Sequence, residues 1–298
     1  MAATLPLIYN PTAGGGSEHK ARKAARTLTE LGAVVEMLPT TGPGSAIRLA
    51  QTAAERGIPR VLVAGGDGTL NEVINGLAGS GTELAVIPTG TANVLSVELG
   101  IPFQVEQAAR LAFEGQSTAV DLGCALLGKR CHYFVLMAGI GFDALVIKNI
   151  NPVLKKSIRR AAYPVSGLLT FLQKDLPRLS VRSGGKEYQG YFVIASNSRY
   201  YGGKFGPNPD ATMYDGLLDV CVLKGKKLQE MINFWVAALR MNTLDERLAD
   251  YFRAGSLEIS CASGEPVPLQ TDGEVIGELP VELSVRPLAL RIVTGRAS

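Results

Sequence analysis

The chain has 298 residues, 46% of them hydrophobic, and a formal net charge of +3 at pH 7. This length allows one large or two ordinary domains, each able to bury a core. A net charge this small gives no electrostatic reason to expect nucleic-acid binding, and it only mildly favours contact with an anionic membrane surface.

The N-terminus and the cysteines predict a cytoplasmic protein. The first residues pass directly into the strand-like segment 5–9, without the basic and apolar regions of a signal peptide. The longest apolar stretch, 133–147, is broken by Asp143 and is too short to span a bilayer, so membrane contact is expected to be peripheral. The cysteines lack metal-ligand spacing, which favours buried, reduced thiols at Cys124, Cys131, Cys221 and Cys261.

In the N-terminal third, predicted strands alternate with predicted helices. Strands are expected at 5–9, 34–38, 61–64 and 84–87, and Ser17 is expected to cap the first helix. This alternation predicts a parallel sheet with helices on both faces. Ligands of such sheets bind beyond the carboxyl ends of the strands.

The turn Gly65-Gly66-Asp67-Gly68-Thr69 follows the third predicted strand. Apolar residues at helical spacing come next, and Thr69 with Glu72 fits a capping box, so a helix is predicted to begin just after Gly68. The bare N–H groups of the glycines and the helix N-terminus suit a phosphate. Asp67 would repel that phosphate unless Mg²⁺ lay between them or Asp67 took a proton from a substrate hydroxyl. From these residues alone, a plain tight connection remains an alternative.

Other polar turns follow the neighbouring strands. Asn10-Pro11 and three glycines leave the first strand, and Pro88-Thr89-Gly90-Thr91-Ala92-Asn93 leaves the fourth. Thr40 leaves the second strand, where a simple turn residue is an equal alternative to a nucleotide contact.

From about Asp121 the pattern changes to hairpins. Hairpins are predicted from 125–127 with 132–135 and from 179–181 with 191–194, and further strands at 217–223, 256–261, 267–270, 281–285 and 288–293. They predict an antiparallel β-sandwich as a second domain. Helices are expected at 153–172 and 228–240, the first of which could face a membrane or simply be amphipathic. The run 139–144 mimics a dinucleotide fingerprint, but its hairpin context favours a close-packed turn.

Acidic turns in the second half are candidate chemical sites. Asp272-Gly273-Glu274 follows a strand, where a plain hairpin turn is the alternative. Asp215 begins a strand at a turn, where a carboxylate and neighbouring carbonyls could hold a hard cation or the carboxylate could only cap the turn.

The run 65–72, with Asn10-Pro11 upstream and 88–93 downstream, resembles the catalytic domain of the bacterial diacylglycerol kinase-like lipid kinases, which sphingosine and ceramide kinases share. The resemblance implies ATP and Mg²⁺ as cofactors, an α/β domain over 1–121, a lipid-binding sandwich over 122–285, and a C-terminal strand, about 286–298, that returns to the first domain. It implies Glu274 as the general base, with Asp67 as a second catalytic residue. The implied nucleotide-binding residues are Asn10, Thr40, Gly65, Gly66, Asp67, Gly68, Thr69, Leu70, Asn71, Thr91 and Asn93. It further implies a structural Mg²⁺ or Ca²⁺ at Asp215 and the carbonyls of Thr212 and Leu217.

The function predicted is therefore transfer of the γ-phosphate of ATP to a hydroxyl of a diacylglycerol-like or related membrane lipid. One alternative is an NAD kinase, in which Asp67 rather than Glu274 would be essential; another is a non-catalytic lipid-binding protein of the same fold. Relatives carry Ser-Gly after Asn-Pro, whereas this chain has Thr12-Ala13, which changes the phosphate contacts expected there. The acceptor lipid is not readable from the sequence, and the uncovered edges of a sandwich could pair with a second copy.

Overall fold

The computed structural model describes residues 4–13, 16–141, 144, 176–201 and 203–295. The predicted helix at 153–172, with its membrane-facing interpretation, lies outside the described residues, as do Gly14, Gly15, Phe142 and Asp143. Among the residues described, no helix is both long and apolar enough to cross a membrane.

The helices that we label in chain order are α1 Ser17–Glu30, α2 Ser45–Glu55, α3 Asp67–Leu77, α4 Val94–Glu98, α5 Val105–Glu114 and α6 Leu228–Leu239. The first strands are β1 Thr4–Tyr9, β2 Val34–Pro39, β3 Arg60–Gly65, β4 Glu83–Pro88, β5 Ser117–Leu127, β6 Arg130–Phe134, β7 Met137–Gly141 and β8 Leu179–Ser183. The others are β9 Lys186–Gly190, β10 Phe192–Ser196, β11 Leu218–Leu223, β12 Ala249–Ala254, β13 Ser256–Cys261, β14 Pro268–Thr271, β15 Glu274–Glu278 and β16 Val281–Val293.

The N-terminal α/β prediction is confirmed. β1 pairs in parallel with β2 and β3, and β3 pairs in parallel with β4. The apolar residues of β3 and β4 are buried on both faces, because helices cover both sides of this part of the sheet. α3 contributes Leu70, Val73, Ile74 and Leu77, all buried, which is the helical spacing seen in the sequence.

The antiparallel sandwich is confirmed as well. One layer is a separate sheet in the order β12-β11-β10-β7-β14-β15, and the other is the antiparallel part of the first sheet, which contains β5, β6, β8, β9, β13 and β16. Alternate side chains of the two layers meet in a common core that includes Phe134, Ile140, Val193, Leu269 and Leu283.

The predicted hairpins fare differently. The β5–β6 hairpin is confirmed, with a two-residue turn at Gly128 and Lys129. The pairing of 179–181 with 191–194 is wrong, because β8 pairs with β9 and β10 lies in the other sheet. Gly184 and Gly185 both have positive φ, which suits a two-residue turn that returns the chain at once into β9. β9 is an edge strand with a mostly polar sequence, so a prediction based on apolar runs did not identify it.

β16 is one strand where two were predicted. Its residues pair with β13 in antiparallel fashion, with β4 in parallel at Arg291 and Ile292, and with β5 along most of its length. The gap expected between 285 and 288 is an irregularity within the strand, where Leu288 has a φ of 51°. The Asp121 carboxylate accepts the Leu288 N–H at 2.8 Å and holds this irregularity. The domain boundaries at 121/122 and 285/286 remain predictions.

The cysteine prediction is wrong for one pair. Cys124 on β5 and Cys131 on β6 form a disulfide, with their Cα atoms 5.6 Å apart. They lie diagonally across the hairpin, because Cys124 pairs with Tyr133 and Leu126 with Cys131. Cys221 and Cys261 are free thiols, and Cys221 is buried.

Candidate active site

The glycine turn after β3 and the turn after β4 are in direct backbone contact. The Thr89 N–H donates to the Gly65 carbonyl at 3.0 Å. A Cβ atom built on Gly90 would lie 2.5 Å from the Gly66 Cα, and one built on Gly66 would lie 3.2 Å from the Gly90 Cα. Neither position has room for a side chain, so these two glycines allow the two loops to form one surface.

α3 begins at Asp67, two residues earlier than predicted, with Gly66 as its N-cap and no side-chain cap. The capping box is wrong because Glu72 has other partners: its carboxylate accepts the N–H groups of Gly44 at 2.8 Å and Ala46 at 3.0 Å, at the start of α2. In the first turn, the Leu70 N–H donates to the Gly66 carbonyl at 3.0 Å. Helix geometry leaves the preceding N–H groups, including those of Gly68 and Thr69, without a carbonyl partner in the helix, which suits a bound anion.

Asp67 lies between this turn and α4. Its carboxylate oxygens accept the N–H groups of Asn93 at 3.0 Å and Val94 at 2.9 Å, at the N-terminus of α4. Burial raises the pKa of Asp67, although these backbone hydrogen bonds favour the ionised form and oppose the shift. Each carboxylate oxygen has a second lone pair, so Asp67 can still bind a water or a cation.

The other predicted nucleotide-binding residues take different roles in the loops. Asn93 is buried, with a φ of 48°, and its side-chain amide bonds both the N–H and the carbonyl of Gly90. The Asn10 Oδ1 accepts the N–H and the hydroxyl of Thr12. Thr91 is exposed, and the Thr40 N–H donates to the Tyr9 carbonyl at 2.8 Å.

Glu274 of the second domain reaches the glycine turn of the first. A Cβ atom built on Gly68 would lie 2.9 Å from Glu274 Oε1, so the carboxylate packs against the first turn of α3. The positive end of the helix dipole favours a carboxylate there. The structure therefore brings together Asp67, Gly68 and Glu274, although Asp67 and Glu274 are 207 residues apart in the sequence.

Asp272, two residues before Glu274, fixes this arrangement. Its carboxylate accepts the N–H groups of Val135, Leu136 and Met137 at 2.9–3.0 Å and the Asn71 side-chain amide at 3.1 Å. Burial raises the pKa of Asp272, against the opposing effect of these hydrogen bonds. Because Asn71 belongs to α3, the acidic turn is fastened to the helix whose N-terminus Glu274 approaches.

Asn75, one turn further along α3, makes a second connection. It donates to the Tyr133 carbonyl at 2.9 Å and accepts the Tyr133 N–H at 2.9 Å. Sequence reasoning missed the roles of Asp272 and Asn75. Helical spacing places Asn71 and Asn75 on one face of α3, which is the one signal that could have found them.

α1 also contributes residues that were not predicted to lie at this site. The ammonium of Lys20 donates to the Thr89 carbonyl at 3.3 Å, and the side chain is half-buried. The hydroxyl of Ser17 lies 3.4 Å from that of Thr89. Ser17 does not cap α1, whose N-cap is Gly16. A cation at the joined loops adds to their affinity for phosphate.

A cavity of about 10 Å³, enough for roughly one water, is lined by both Asp67 and Asp272. A larger cavity of about 210 Å³ lies at β11 and β12, where Asp219 and Arg253 line it, and contains none of the motif residues. The glycine turn and Glu274 meet at the joined loops and not at this larger cavity.

The predicted cation site at Asp215 is a tight turn. One carboxylate oxygen accepts the Leu217 N–H at 3.1 Å, and the other lies 4.0 Å from the Arg253 guanidinium. Arg253 also binds Asp219 at 3.0 Å. Within the described ranges, no group of three or more His, Cys, Asp or Glu side chains could hold a metal ion. Any cation here would depend on carbonyl oxygens such as those of Thr212 and Leu217.

Comparison with known families accounts for nearly the whole chain. The model of the diacylglycerol kinase catalytic domain matches residues 4–125, and the model of the YegS C-terminal NAD kinase beta sandwich-like domain matches residues 137–294.

Full-length relatives show the same likeness. The chain is 31% identical to "Diacylglycerol kinase" of Bacillus subtilis, covering 93% of this chain and 91% of that protein. It is 34% identical to "Probable lipid kinase YegS-like" of Pseudomonas aeruginosa, covering 96% and 92%. The fold is similar to that of a diacylglycerol kinase crystal structure from Bacillus anthracis, with a TM-score of 0.75 and 23% identity over 98% of this chain and 97% of that one.

Proposed function

The chain belongs to the family of diacylglycerol kinases and YegS-like lipid kinases, and we propose that it transfers the γ-phosphate of ATP to a hydroxyl of a diacylglycerol or a related membrane lipid. It is a lipid kinase. The observation that carries the detailed proposal is the contact of Glu274 with Gly68, which joins an acidic side chain of the sandwich to the phosphate-binding turn.

The phosphates of ATP bind at the joined loops. The N–H groups at the start of α3, the backbone of 65–69 and the ammonium of Lys20 provide positive partial or full charge there. Asn10, Thr40 and Thr91 border these loops and contact the rest of the nucleotide. Leu70, Asn71 and Asn93 act indirectly, because Leu70 is buried, the Asn71 amide donates to the Asp272 carboxylate, and the Asn93 amide holds the Gly90 backbone.

The donors at this site fit a hard divalent cation such as Mg²⁺, since the Asp67 carboxylate retains lone pairs beyond those that accept the Asn93 and Val94 N–H groups. Asp67 would hold that cation, which would neutralise phosphate charge during transfer. The structural Mg²⁺ or Ca²⁺ predicted at Asp215 is a second, weaker proposal, because Arg253 competes for the same carboxylate.

Glu274 is the general base. It takes the proton of the lipid hydroxyl while the hydroxyl oxygen forms a bond to the γ-phosphorus, and the bond from that phosphorus to the β-phosphate oxygen breaks to release ADP. Phosphoryl transfer needs mainly positioning, and the hydrogen bonds of Asp272 to Asn71 and to the 135–137 backbone provide it.

The test is transfer of radiolabelled γ-phosphate from ATP to a panel of lipids in mixed micelles, with NAD included. We expect label in an extractable lipid, and a loss of about 10²–10⁴-fold in Glu274→Gln. Glu278→Gln, an exposed glutamate on the same strand, is the matched control and should keep its activity. Label in NAD with Glu274→Gln fully active would overturn the proposal and make Asp67 the essential residue.

A further inference from the structure

α6 is apolar over much more of its surface than the protein core covers. Its buried side chains are Met231, Phe234 and Ala238. Met231 and Phe234 share a core cluster with residues of β10 and β11, and Phe234 packs edge-on against Phe192 of β10. A second apolar row remains exposed, with exposed fractions of 36% for Leu228, 45% for Ile232, 40% for Val236 and 61% for Leu239.

The two rows lie side by side on the helix. At about 100° per residue, the apolar arc runs from Phe234 through the half-buried Trp235 to Val236 and spans roughly 200°, whereas packing on a core needs an arc of about 100°. The polar residues Gln229 and Asn233 occupy the remaining side and bond each other at 3.0 Å. About half of the apolar arc is therefore surplus to the fold.

Cations lie at both ends of the exposed row. Lys226 and Lys227 precede α6 and Arg240 follows it, and all three are exposed. Glu230 is the one acid of the helix sequence, and its carboxylate accepts the Lys227 backbone N–H at 2.8 Å.

Two of the three acids in the segment that follows α6 are paired with cations. Asp245 binds Arg247 at 2.9 Å, and Asp250 binds Lys224 at 2.7 Å, whereas Glu246 is exposed. The exposed row is an apolar strip about 18 Å long, and its cations flank the helix at both ends while its polar face is carried by Gln229, Glu230 and Asn233. An apolar strip combined with nearby cations suits a helix that lies in a membrane interface.

We propose that the exposed row of α6, Leu228, Ile232, Val236 and Leu239, docks the enzyme on an anionic lipid bilayer, with Lys226, Lys227 and Arg240 at the phosphate headgroups. The inference rests on the proposed function, because an enzyme that phosphorylates a membrane lipid must contact the bilayer. Charge complementarity selects the bilayer as the occupant of the row: apolar side chains enter the acyl boundary and cations meet anionic headgroups.

The test is flotation of the whole protein, without ATP, with vesicles of phosphatidylcholine alone or mixed with phosphatidylglycerol. Wild type should bind the mixed vesicles, and Ile232→Asn/Val236→Asn/Leu239→Asn should lower the partition coefficient about tenfold or more. Val34→Asn/Phe103→Asn is the matched control, since these side chains are 50% and 56% exposed elsewhere and should leave binding unchanged.

The charges are tested separately by Lys226→Gln/Lys227→Gln, which should weaken binding to the mixed vesicles about tenfold and leave phosphatidylcholine binding unchanged. Activity of the triple variant should fall on diacylglycerol in vesicles but persist on a short-chain, water-soluble diacylglycerol. Because flotation needs no catalysis, an inactive protein that still floats would refute the proposed function and not the docking row.

Wild-type protein that fails to float, or a triple variant that floats like wild type, would overturn the proposal. So would a triple variant that sediments as a monomer where wild type sediments as a dimer while vesicle binding is retained, because the row would then be an interface between two copies.

Discussion

Gly90→Ala tests whether contact between the two loops builds the phosphate site. The added Cβ would lie 2.5 Å from the Gly66 Cα and 2.8 Å from the Asn93 Oδ1. Carbon atoms normally approach to about 3.5–4.0 Å, so the loops must separate by about 1 Å or more. Overpacking of this kind costs about 1–3 kcal/mol of stability. A displacement of about 1 Å at a reacting centre can lower the rate about 10²-fold.

The assay is steady-state kinase activity with a lipid acceptor, together with urea unfolding followed by the fluorescence of Trp235, the one tryptophan of the chain. Gly66→Ala should show a smaller loss, because its Cβ would lie 3.2 Å from Gly90. Gly255→Ala is the control: its nearest neighbour would be 4.0 Å away, and its φ is not positive. A Gly90→Ala enzyme with the activity and stability of wild type would refute the close-contact argument.

Other expectations concern buried and half-buried groups. Burial raises the pKa of Asp272, so the ionised carboxylate destabilises the folded state. The free energy of unfolding of wild type, relative to Asp272→Asn, should therefore fall as the pH rises from 3.8 through the pKa of Asp272 in the folded protein. Urea titrations at several pH values measure this difference, and a difference that does not change with pH would contradict the expectation. Glu72→Ala should cost about 1–2 kcal/mol by removing the acceptor at the start of α2, and thermal unfolding unchanged from wild type would contradict it. Burial raises the pKa of Cys221 to about 12, so maleimide at neutral pH should label Cys261 first, as read by mass spectrometry; equal labelling would exclude this protection.

Local patterns in the sequence were enough to predict the strand, turn and helix at 60–77. The predicted helix start was wrong because Glu72 binds the N-terminus of α2, and the approach of α2 to α3 is a tertiary contact. The role of Asp272 could not be predicted from the local sequence either. Its partner Asn71 is 201 residues away, so nothing in the local sequence distinguishes it from an ordinary hairpin aspartate.

Two predictions for the sandwich were wrong, the partner of β8 and the state of Cys124 and Cys131. The first was wrong because a strand has little apolar character, and the second because the cysteines meet across two strands. β9 has little apolar character, so the predicted partner of β8 was the next apolar run, β10, which belongs to the other sheet. The Cys124–Cys131 disulfide depends on the register of a hairpin, and spacing along the chain does not reveal that register.

The course of β16 decides when the protein can finish folding during its synthesis. β4 has β3 on one side and gains its other neighbour only when Arg291 and Ile292 arrive. Until the ribosome has released those residues, the growing chain carries an open, apolar strand edge, which is a site for mistaken pairing with another nascent chain. The N-terminal part of the sheet is therefore synthesised first, but β4 is paired on both sides only after Arg291 and Ile292 have left the ribosome.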